Sequence, residues 1–218
     1  MLSAIIFDFD GVIVETEMLH YQATLAALRD DKVNFNYDVY REKYIGVPDV
    51  LMFPLIGERY GIHVHDVKLE GLLAKKRRAY YEMDLGKLPV CPGVLELVQA
   101  AYKQIPLAIC TGAHQVDLDQ ILPELAGGEL MRYFQRIVTS DDVRHPKPNP
   151  EGYLLSAQCL KVDPENCLVI EDTPVGISAA KAAGMTVLGV CTSFHSSALQ
   201  DADRVVHRLS DINFFGKK

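Results

Sequence analysis

The chain has 218 residues, of which 49% are hydrophobic, and a formal net charge of -7. This composition is sufficient for a buried core in one large domain or two small ones. The acidic balance argues against nucleic acid as a partner, because the basic run Lys75-Lys76-Arg77-Arg78 is short. No apolar stretch approaches the roughly 20 residues that span a bilayer, and the amino terminus lacks a signal-peptide pattern. We therefore expect a cytoplasmic protein that binds neither nucleic acid nor membrane.

The first predicted strand, Ala4 to Phe7, is an apolar run followed by two carboxylates, Asp8 and Asp10. Because side chains alternate along an extended chain, these two carboxylates point to the same side and repel each other. One of them must then hold a proton, or both must share a divalent cation, and either arrangement prepares an acid/base or nucleophilic site. A helix N-cap or an acidic turn is the alternative for an isolated pair of this kind.

The interval from residue 15 to residue 86 contains no strong strand signal. An insert after the first strand would lie over the carboxyl ends of the sheet, where ligands bind in open α/β folds. We therefore interpret residues 15–86 as a helical cap domain, and residues 1–14 with 87–218 as an α/β core. Amphipathic helices are predicted in the insert around Tyr21–Leu28, Tyr37–Lys43, Val50–Tyr60 and Val67–Met83.

The rest of the chain alternates strands with helices, which predicts an α/β fold with a Rossmann-like parallel sheet and helices on both faces. Buried strands are predicted over Pro106–Cys110, Cys167–Ile170 and Thr186–Val190, and a weaker strand over Arg136–Thr139. Helices are predicted over Val94–Tyr102, Gln115–Leu122, Glu151–Leu160 and Val175–Ala183.

Three further polar signals follow predicted strands, at the edge where a parallel sheet builds its site. They are Thr111-Gly112, Lys147 between two prolines, and Glu171-Asp172. Taken singly, they are typical of a turn hydroxyl, a solvated loop lysine and an acidic pair at a helix start. Together with Asp8 and Asp10 they supply carboxylates, a hydroxyl and an ammonium, a set that suits a hard divalent cation and a phosphate group.

The chain contains five cysteines, an odd number, and none of them forms a C-x-x-C pair. Three of the five lie in apolar, strand-like runs. This distribution indicates reduced thiols in the core, rather than a disulfide framework or a zinc site. The five are Cys91, Cys110, Cys159, Cys167 and Cys191.

Four motifs occur in order along almost the whole chain: D-F-D-G-V, T-G, K-P-N-P-E-G-Y and E-D-T-P-V-G-I-S-A-A-K-A-A-G-M. This set resembles the haloacid dehalogenase superfamily. The helical insert before Cys91-Pro92-Gly93 resembles the branch that contains β-phosphoglucomutases and phosphoglycolate-type phosphatases.

The resemblance implies that Asp8 is a nucleophile that accepts a phosphoryl group, and that Asp10 acts as the acid and base. It further implies that Thr111, with the backbone of Gly112, binds the transferring phosphoryl oxygens. Lys147 would pair with both the nucleophile and the phosphate. Dehalogenases resemble this chain in fold but lack an acid at position 10, so phosphate ester chemistry ranks first.

The resemblance also implies an Mg²⁺ cofactor, held by the Asp8 carboxylate, the backbone carbonyl of Asp10 and Asp172. Glu171 would orient this metal shell, mostly through water. Family members often have a cis peptide in the third motif, so we predict one between Lys147 and Pro148.

In the insert, His20 and Gly46 lie where β-phosphoglucomutases have a hinge histidine and a specificity loop. Those mutases have an arginine shortly after this glycine, whereas this chain has Pro48-Asp49-Val50. A carboxylate there repels an anionic substrate, which argues against mutase activity. Lys76 or Arg77 is a candidate ligand for the substrate phosphate, with a solvated helix face as the alternative.

We therefore expect an Mg²⁺-dependent phosphatase that acts, as a monomer, on a small phosphorylated metabolite of the sugar phosphate or phosphoglycolate type. The alternative is a phosphohexomutase, an isomerase. A phosphate-sensing receiver domain ranks lower because receivers have no large helical insert, and dinucleotide-binding and P-loop motifs are absent. We also predict that the insert rotates on linkers near Glu15 and Leu85–Pro89, with Gly86 as a hinge.

Overall fold

A computed structural model describes residues 1–83 and 88–212. Within these ranges the chain forms two compact units, one from residues 1–15 and 88–212, the other from residues 16–83. None of the helices in the described ranges combines the length and the apolar character that a membrane crossing requires.

The smaller unit is a helical bundle in which the first and fourth helices pack together. Met52, Phe53 and Ile56, spaced along one face of the third helix, are fully buried. The second helix begins after Asn36, whose side chain accepts a hydrogen bond from the Val39 amide (3.0 Å). The helices of this unit are α1 (Glu17–Ala27), α2 (Tyr37–Lys43), α3 (Asp49–Tyr60) and α4 (Asp66–Tyr81).

The larger unit is built on a six-stranded parallel sheet in the order β3-β2-β1-β4-β5-β6. The strands are β1 (Ala4–Phe7), β2 (Leu107–Cys110), β3 (Arg136–Val138), β4 (Cys167–Glu171), β5 (Thr186–Val190) and β6 (Arg204–Val206). Strand β1 lies in the middle and is fully buried on both faces. This confirms the predicted α/β fold with a parallel sheet.

Helices connect the strands of this unit: α5 (Val94–Ala101), α6 (Gln115–Ile121), α7 (Glu151–Leu160) and α8 (Pro174–Ala182). Ile6 and Val169, from the two central strands, share one buried cluster with Tyr153 of α7 and Ile177 of α8. Thr173 begins α8 by accepting a hydrogen bond from the Gly176 amide (3.0 Å).

Several predicted boundaries were wrong. Helix α1 begins at Glu17, four residues before the predicted Tyr21, because its first turn is partly exposed and gave no apolar period. Strand β6 was not predicted, since it has three residues, none fully buried, and lies at the sheet edge. Strand β3 ends at Val138, one residue before the predicted end, because Thr139 caps the 3₁₀ turn that follows.

The cysteines are free thiols, as predicted, but not all of them lie in the core. Cys91, Cys110 and Cys167 are buried, whereas Cys191 is half-buried. The prediction was wrong for Cys159, because this residue lies on the exposed face of α7.

We predict that Ile6→Ala destabilises the protein by about 2–5 kcal/mol, because it leaves a cavity in the centre of the sheet. Unfolding in urea, followed by circular dichroism, measures this loss. Leu154→Ala is a matched control on the partly exposed face of α7 and should cost less than about 1 kcal/mol. Equal losses for the two variants would contradict the position of Ile6 in the core.

Candidate active site

The strand register brings the sequence motifs to one edge of the sheet. Phe7 of β1 is opposite Ile109 of β2 and Ile170 of β4. The residue that follows β1 is Asp8, whose amide donates to the Ile170 carbonyl (2.9 Å). Asp8 is therefore level with Glu171, the last residue of β4. The predicted grouping of these carboxylates follows from the parallel pairing alone.

Lys147 lies at the centre of this group. Its ammonium donates to Asp8 Oδ1 (2.6 Å), to Glu171 Oε1 (2.7 Å) and to the Cys110 carbonyl (3.1 Å). An ammonium has three donors, and these contacts use all of them. Asp8 and Glu171 are buried, and 17% of the Lys147 side chain is exposed. The lysine therefore joins two buried carboxylates from neighbouring strands.

The loop that carries Lys147 is held by the first residue of α7. The Glu151 carboxylate accepts hydrogen bonds from the amides of Arg144 (2.9 Å) and His145 (3.1 Å). Asn149 in turn accepts from the Glu151 amide (3.0 Å). The peptide bond between Lys147 and Pro148 is cis, as predicted. These contacts fix the backbone from which the lysine reaches the site.

Glu171 is held by hydrogen bonds on both oxygens. Oε2 accepts from the amides of Asp172 (3.0 Å) and Thr173 (2.9 Å) and from the Thr173 hydroxyl (2.9 Å). A Cβ on Gly176 would lie 1.6 Å from Oε1, so only glycine allows α8 to approach this carboxylate so closely. Gly176, the first of the two glycines in the fourth motif, is therefore required by this close approach.

Three buried carboxylates, those of Asp8, Glu171 and Asp172, have oxygens that all lie within 4.8 Å of one another. Carboxylate oxygens are the ligands that hard divalent cations such as Mg²⁺ prefer. A Cβ on Gly11 would lie 1.9 Å from Asp172 Oδ2, so this glycine leaves room for the carboxylate. The donor set therefore fits a divalent cation.

Burial raises the pKa of Asp8 to about 8, and the charges of Glu171 and Asp10 add to this effect while Lys147 opposes it. Burial alone would raise the pKa of Glu171, but Lys147 and the Thr173 hydrogen bonds outweigh it and lower that pKa. For Lys147, burial disfavours the charge, yet Asp8 and Glu171 overcome it and raise the pKa well above its usual value. The ammonium is thus charged throughout the neutral range.

Thr111 and Gly112 follow β2 and border a cavity of about 30 Å³ beside Lys147. The Thr111 amide donates to the Val138 carbonyl (2.9 Å), and its Oγ1 accepts from the Ala113 amide (3.0 Å). Apart from its two chain neighbours, no part of the described chain comes within 4 Å of a Cβ built on Gly112. The space beside this glycine is therefore open.

The candidate residues of the helical unit fall into two environments. The His20 ring stacks on Tyr80 with centroids 4.8 Å apart, and burial, with Lys76 adding, lowers the pKa of His20 to about 3. Lys76 is 5% exposed and forms an ion pair with Asp49. Arg77 is exposed on the helix surface and is not part of this group.

Two glycines were also predicted to have functional roles. Gly46 has a positive φ of 74° in the turn after α2, a conformation that favours glycine. Gly86, the predicted hinge, lies outside the described residues, as do 84, 85 and 87.

Sequence reasoning missed Tyr153, which contacts two of the site residues. Its hydroxyl donates to Glu171 Oε1 (2.9 Å), and its ring centroid lies 4.8 Å from Lys147 Nζ. The tyrosine ends the K-P-N-P-E-G-Y motif, but an aromatic residue on a buried helix face is typical of core packing. Only its hydroxyl distinguished it from an ordinary core residue.

A model of the haloacid dehalogenase-like hydrolase family matches residues 2–184. The match covers most of the larger unit and all of the smaller one, and it agrees with the fold and the grouped motifs. The chain belongs to this family of hydrolases, as its motifs predicted.

The relatives with a named activity include two phosphatases of sugar phosphates. A phosphorylated carbohydrates phosphatase of Thermotoga maritima is 33% identical over 211 residues, 94% of this chain and 93% of the relative. The fructose-1-phosphate phosphatase YqaB of Escherichia coli is 32% identical over 188 residues, 86% of this chain and 96% of the relative. Both names agree with the predicted phosphoric monoester hydrolase.

The fold is also similar to solved structures. A proposed β-phosphoglucomutase from Thermotoga maritima has a TM-score of 0.72 at 32% sequence identity, with 94% of each chain covered.

We predict that Lys147→Met destabilises the metal-free protein by about 3–5 kcal/mol at pH 8, because it leaves two buried carboxylates without their cation. Without Lys147, the folded-state pKa of Asp8 rises further above its unfolded value, and the pKa of Glu171 is no longer held low by the lysine. The folded variant therefore binds more protons than the unfolded chain. Its stability therefore increases as the pH falls, and the loss relative to wild type should be smaller at pH 5.

Urea unfolding at both pH values, with a chelator present, measures this difference. Lys181→Met is the control, since Lys181 pairs with Asp203 (2.8 Å) at the exposed surface and should contribute less than about 1 kcal/mol. A loss for Lys147→Met that is the same at both pH values would contradict a charged, buried cluster.

Proposed function

We propose that this hydrolase is an Mg²⁺-dependent phosphatase that hydrolyses a small phosphorylated metabolite through an aspartyl-phosphate on Asp8. The observation that carries the proposal is the buried contact of Lys147 with Asp8 and Glu171, beside a third carboxylate. A nucleophilic carboxylate must approach an anionic phosphoryl group, so the site needs fixed positive charge next to the attacking oxygen. Lys147 supplies that charge.

In the first step, an Asp8 oxygen bonds to phosphorus while the ester P–O bond breaks. The leaving oxygen takes a proton from Asp10, which acts as the general acid. In the second step, Asp10 takes a proton from water, and the water oxygen attacks the phosphorus. This releases inorganic phosphate and regenerates the Asp8 carboxylate, so that atoms and charge balance over the cycle.

Lys147 neutralises charge on the phosphoryl oxygens in both steps, and the Thr111 hydroxyl donates to them together with the open Gly112 backbone. Thr111, Gly112 and Lys147 border one cavity, which supports their acting together. Charge stabilisation of this kind is the main contribution of the protein to phosphoryl transfer.

The residues proposed to hold Mg²⁺ are Asp8, Asp172 and the backbone carbonyl of Asp10. When bound, the cation cancels repulsion between the carboxylate and the phosphoryl oxygens. Both oxygens of Glu171 already accept hydrogen bonds from the protein, so we assign Glu171 an indirect role in this shell.

We further propose that residues 15–86 act as a cap domain that selects the substrate, with residues 1–14 and 87–218 as the catalytic core. The group formed by the half-buried His20, the buried Lys76 and the partly exposed Asp49 is the candidate specificity site of this cap. The named activities of two relatives, on phosphorylated carbohydrates and on fructose 1-phosphate, support a sugar phosphate as the substrate class.

Phosphohexomutase activity is the second candidate, favoured by the structural likeness to a proposed β-phosphoglucomutase. The charge of the cap argues against it. A mutase must hold the second phosphate of a bisphosphate intermediate, whereas the buried ammonium of Lys76 is already neutralised by Asp49. The cap therefore has no net positive charge at this pair, and hydrolysis of a monophosphate is the better fit.

We predict that the purified protein hydrolyses p-nitrophenyl phosphate with Mg²⁺ and loses this turnover when a chelator removes the metal.

Asp8→Asn should lower turnover by about 10³-fold or more, because the amide cannot act as the nucleophile. Mass spectrometry after an acid quench should find phosphate on Asp8 in the wild type. Asp201→Asn changes an exposed aspartate and serves as the control. An Asp8→Asn variant that keeps more than a tenth of wild-type turnover would contradict the proposal.

We predict that Asp49→Asn shifts the preference of the enzyme towards bisphosphates. The substitution removes the charge that neutralises Lys76, so the KM for a hexose bisphosphate should fall by about threefold to tenfold relative to the matching monophosphate. Steady-state kinetics with both substrates measures the ratio. Asp31→Asn is the control, because Asp31 pairs with Lys68 in the same unit. If the ratio of the two KM values is the same in Asp49→Asn, Asp31→Asn and the wild type, Asp49 does not have this role.

A further inference from the structure

Tyr153 differs from the other residues around Lys147 because it contacts both members of an ion pair. It is completely buried, and its hydroxyl donates to Glu171 Oε1 at 2.9 Å. Its ring centroid lies 4.8 Å from Lys147 Nζ, a distance at which an aromatic ring attracts an ammonium. The hydroxyl contact is not required for packing, since phenylalanine would fill almost the same volume and keep the ring contact with the lysine.

The hydroxyl shares an acceptor with the lysine. Glu171 Oε1 receives both the Tyr153 hydroxyl and the Lys147 ammonium (2.7 Å), whereas Oε2 is held by Asp172 and Thr173. Oε1 thus divides its negative charge between two donors. Glu171 Oε1 therefore attracts the Lys147 ammonium less strongly than it would if the tyrosine hydroxyl were absent.

This sharing determines how Lys147 divides its own charge. The same ammonium donates to Asp8 Oδ1 at 2.6 Å, so Asp8 and Glu171 compete for it. If the phenol hydroxyl were removed, Oε1 would attract the ammonium more strongly and draw it away from Asp8. Small displacements of a charge next to a nucleophile have large effects on rate.

We propose that Tyr153 is a positioning residue, whose hydroxyl sets the distance of the Lys147 ammonium from Asp8 by acting through Glu171. The proposal rests on the phosphatase function proposed above. It assigns a role to a core tyrosine whose hydroxyl acts through Glu171 rather than on the reacting oxygens.

The test is Tyr153→Phe, which keeps the ring and removes only the hydroxyl. We expect kcat for p-nitrophenyl phosphate to fall about tenfold, the effect of losing one hydrogen bond to a charged group, with KM unchanged within about twofold. Tyr133→Phe is the matched control, because Tyr133 is a buried tyrosine of the same unit whose hydroxyl accepts from Arg132 (2.9 Å). The control should retain wild-type kcat.

A double-mutant cycle separates positioning from a general loss of packing. If Tyr153 acts through Glu171, Tyr153→Phe should change kcat less than about twofold in the Glu171→Gln background. A tenfold fall in both backgrounds would overturn the proposed route. So would a Tyr153→Phe enzyme with wild-type kcat in an otherwise active protein, and that result would leave the phosphatase function intact.

A second measurement does not depend on turnover. The ¹⁵N resonance of the Lys147 ammonium should shift in Tyr153→Phe and stay in place in Tyr133→Phe. If the wild type hydrolysed no phosphate ester, the proposed function would fail, and this resonance alone would decide whether the contact positions the lysine. Should Tyr153→Phe not fold, a cross-peak between the Tyr153 hydroxyl proton and the Lys147 ammonium in the wild type would support the proposal, and its absence would refute it.

Discussion

The ion pairs of Lys147 with Asp8 and Glu171 are the constraint on which the larger unit depends. Taking a charge out of water costs several kcal/mol, and three such groups lie together at the sheet edge. Each is tolerated only because the others are present. The same arrangement leaves a carboxylate oxygen next to a fixed cation. The interaction that offsets the cost of burial thus also provides the positive charge that the proposed attack of Asp8 on a phosphoryl group requires.

The surrounding structure holds these charges by backbone contacts rather than by surface ion pairs. Strand pairing makes Asp8 level with Glu171, and the start of α8 encloses one Glu171 oxygen in hydrogen bonds. Glu151 closes the lysine loop in the same way from the start of α7. Since helices and strands are more rigid than side chains, the site is organised before a ligand arrives.

Much of this arrangement is predictable from sequence, because buried parallel strands are continuous apolar runs and their carboxyl ends meet at one edge. The runs at Ala4–Phe7 and Thr186–Val190 match the strands of the structure, and Asp8, Lys147 and Glu171 come together as their motifs predicted. The Tyr153 hydroxyl and the pairing of Lys76 with Asp49 were not predictable. Both contacts depend on the direction in which one side chain leaves its helix. Apolar periodicity predicts which face of a helix is buried, but it does not predict the partner of a single polar group.

The central position of β1 in the sheet has a consequence for how the protein is made. Asp8 and Lys147 are 139 residues apart in the chain, and β1 pairs with β2 and β4, both of which are synthesised much later. Contacts between such distant segments close large loops and form slowly. Asp8 therefore meets Lys147 only after most of the polypeptide has left the ribosome, and a truncated chain that lacks β4 cannot assemble the Lys147 cluster, because Glu171 belongs to that strand.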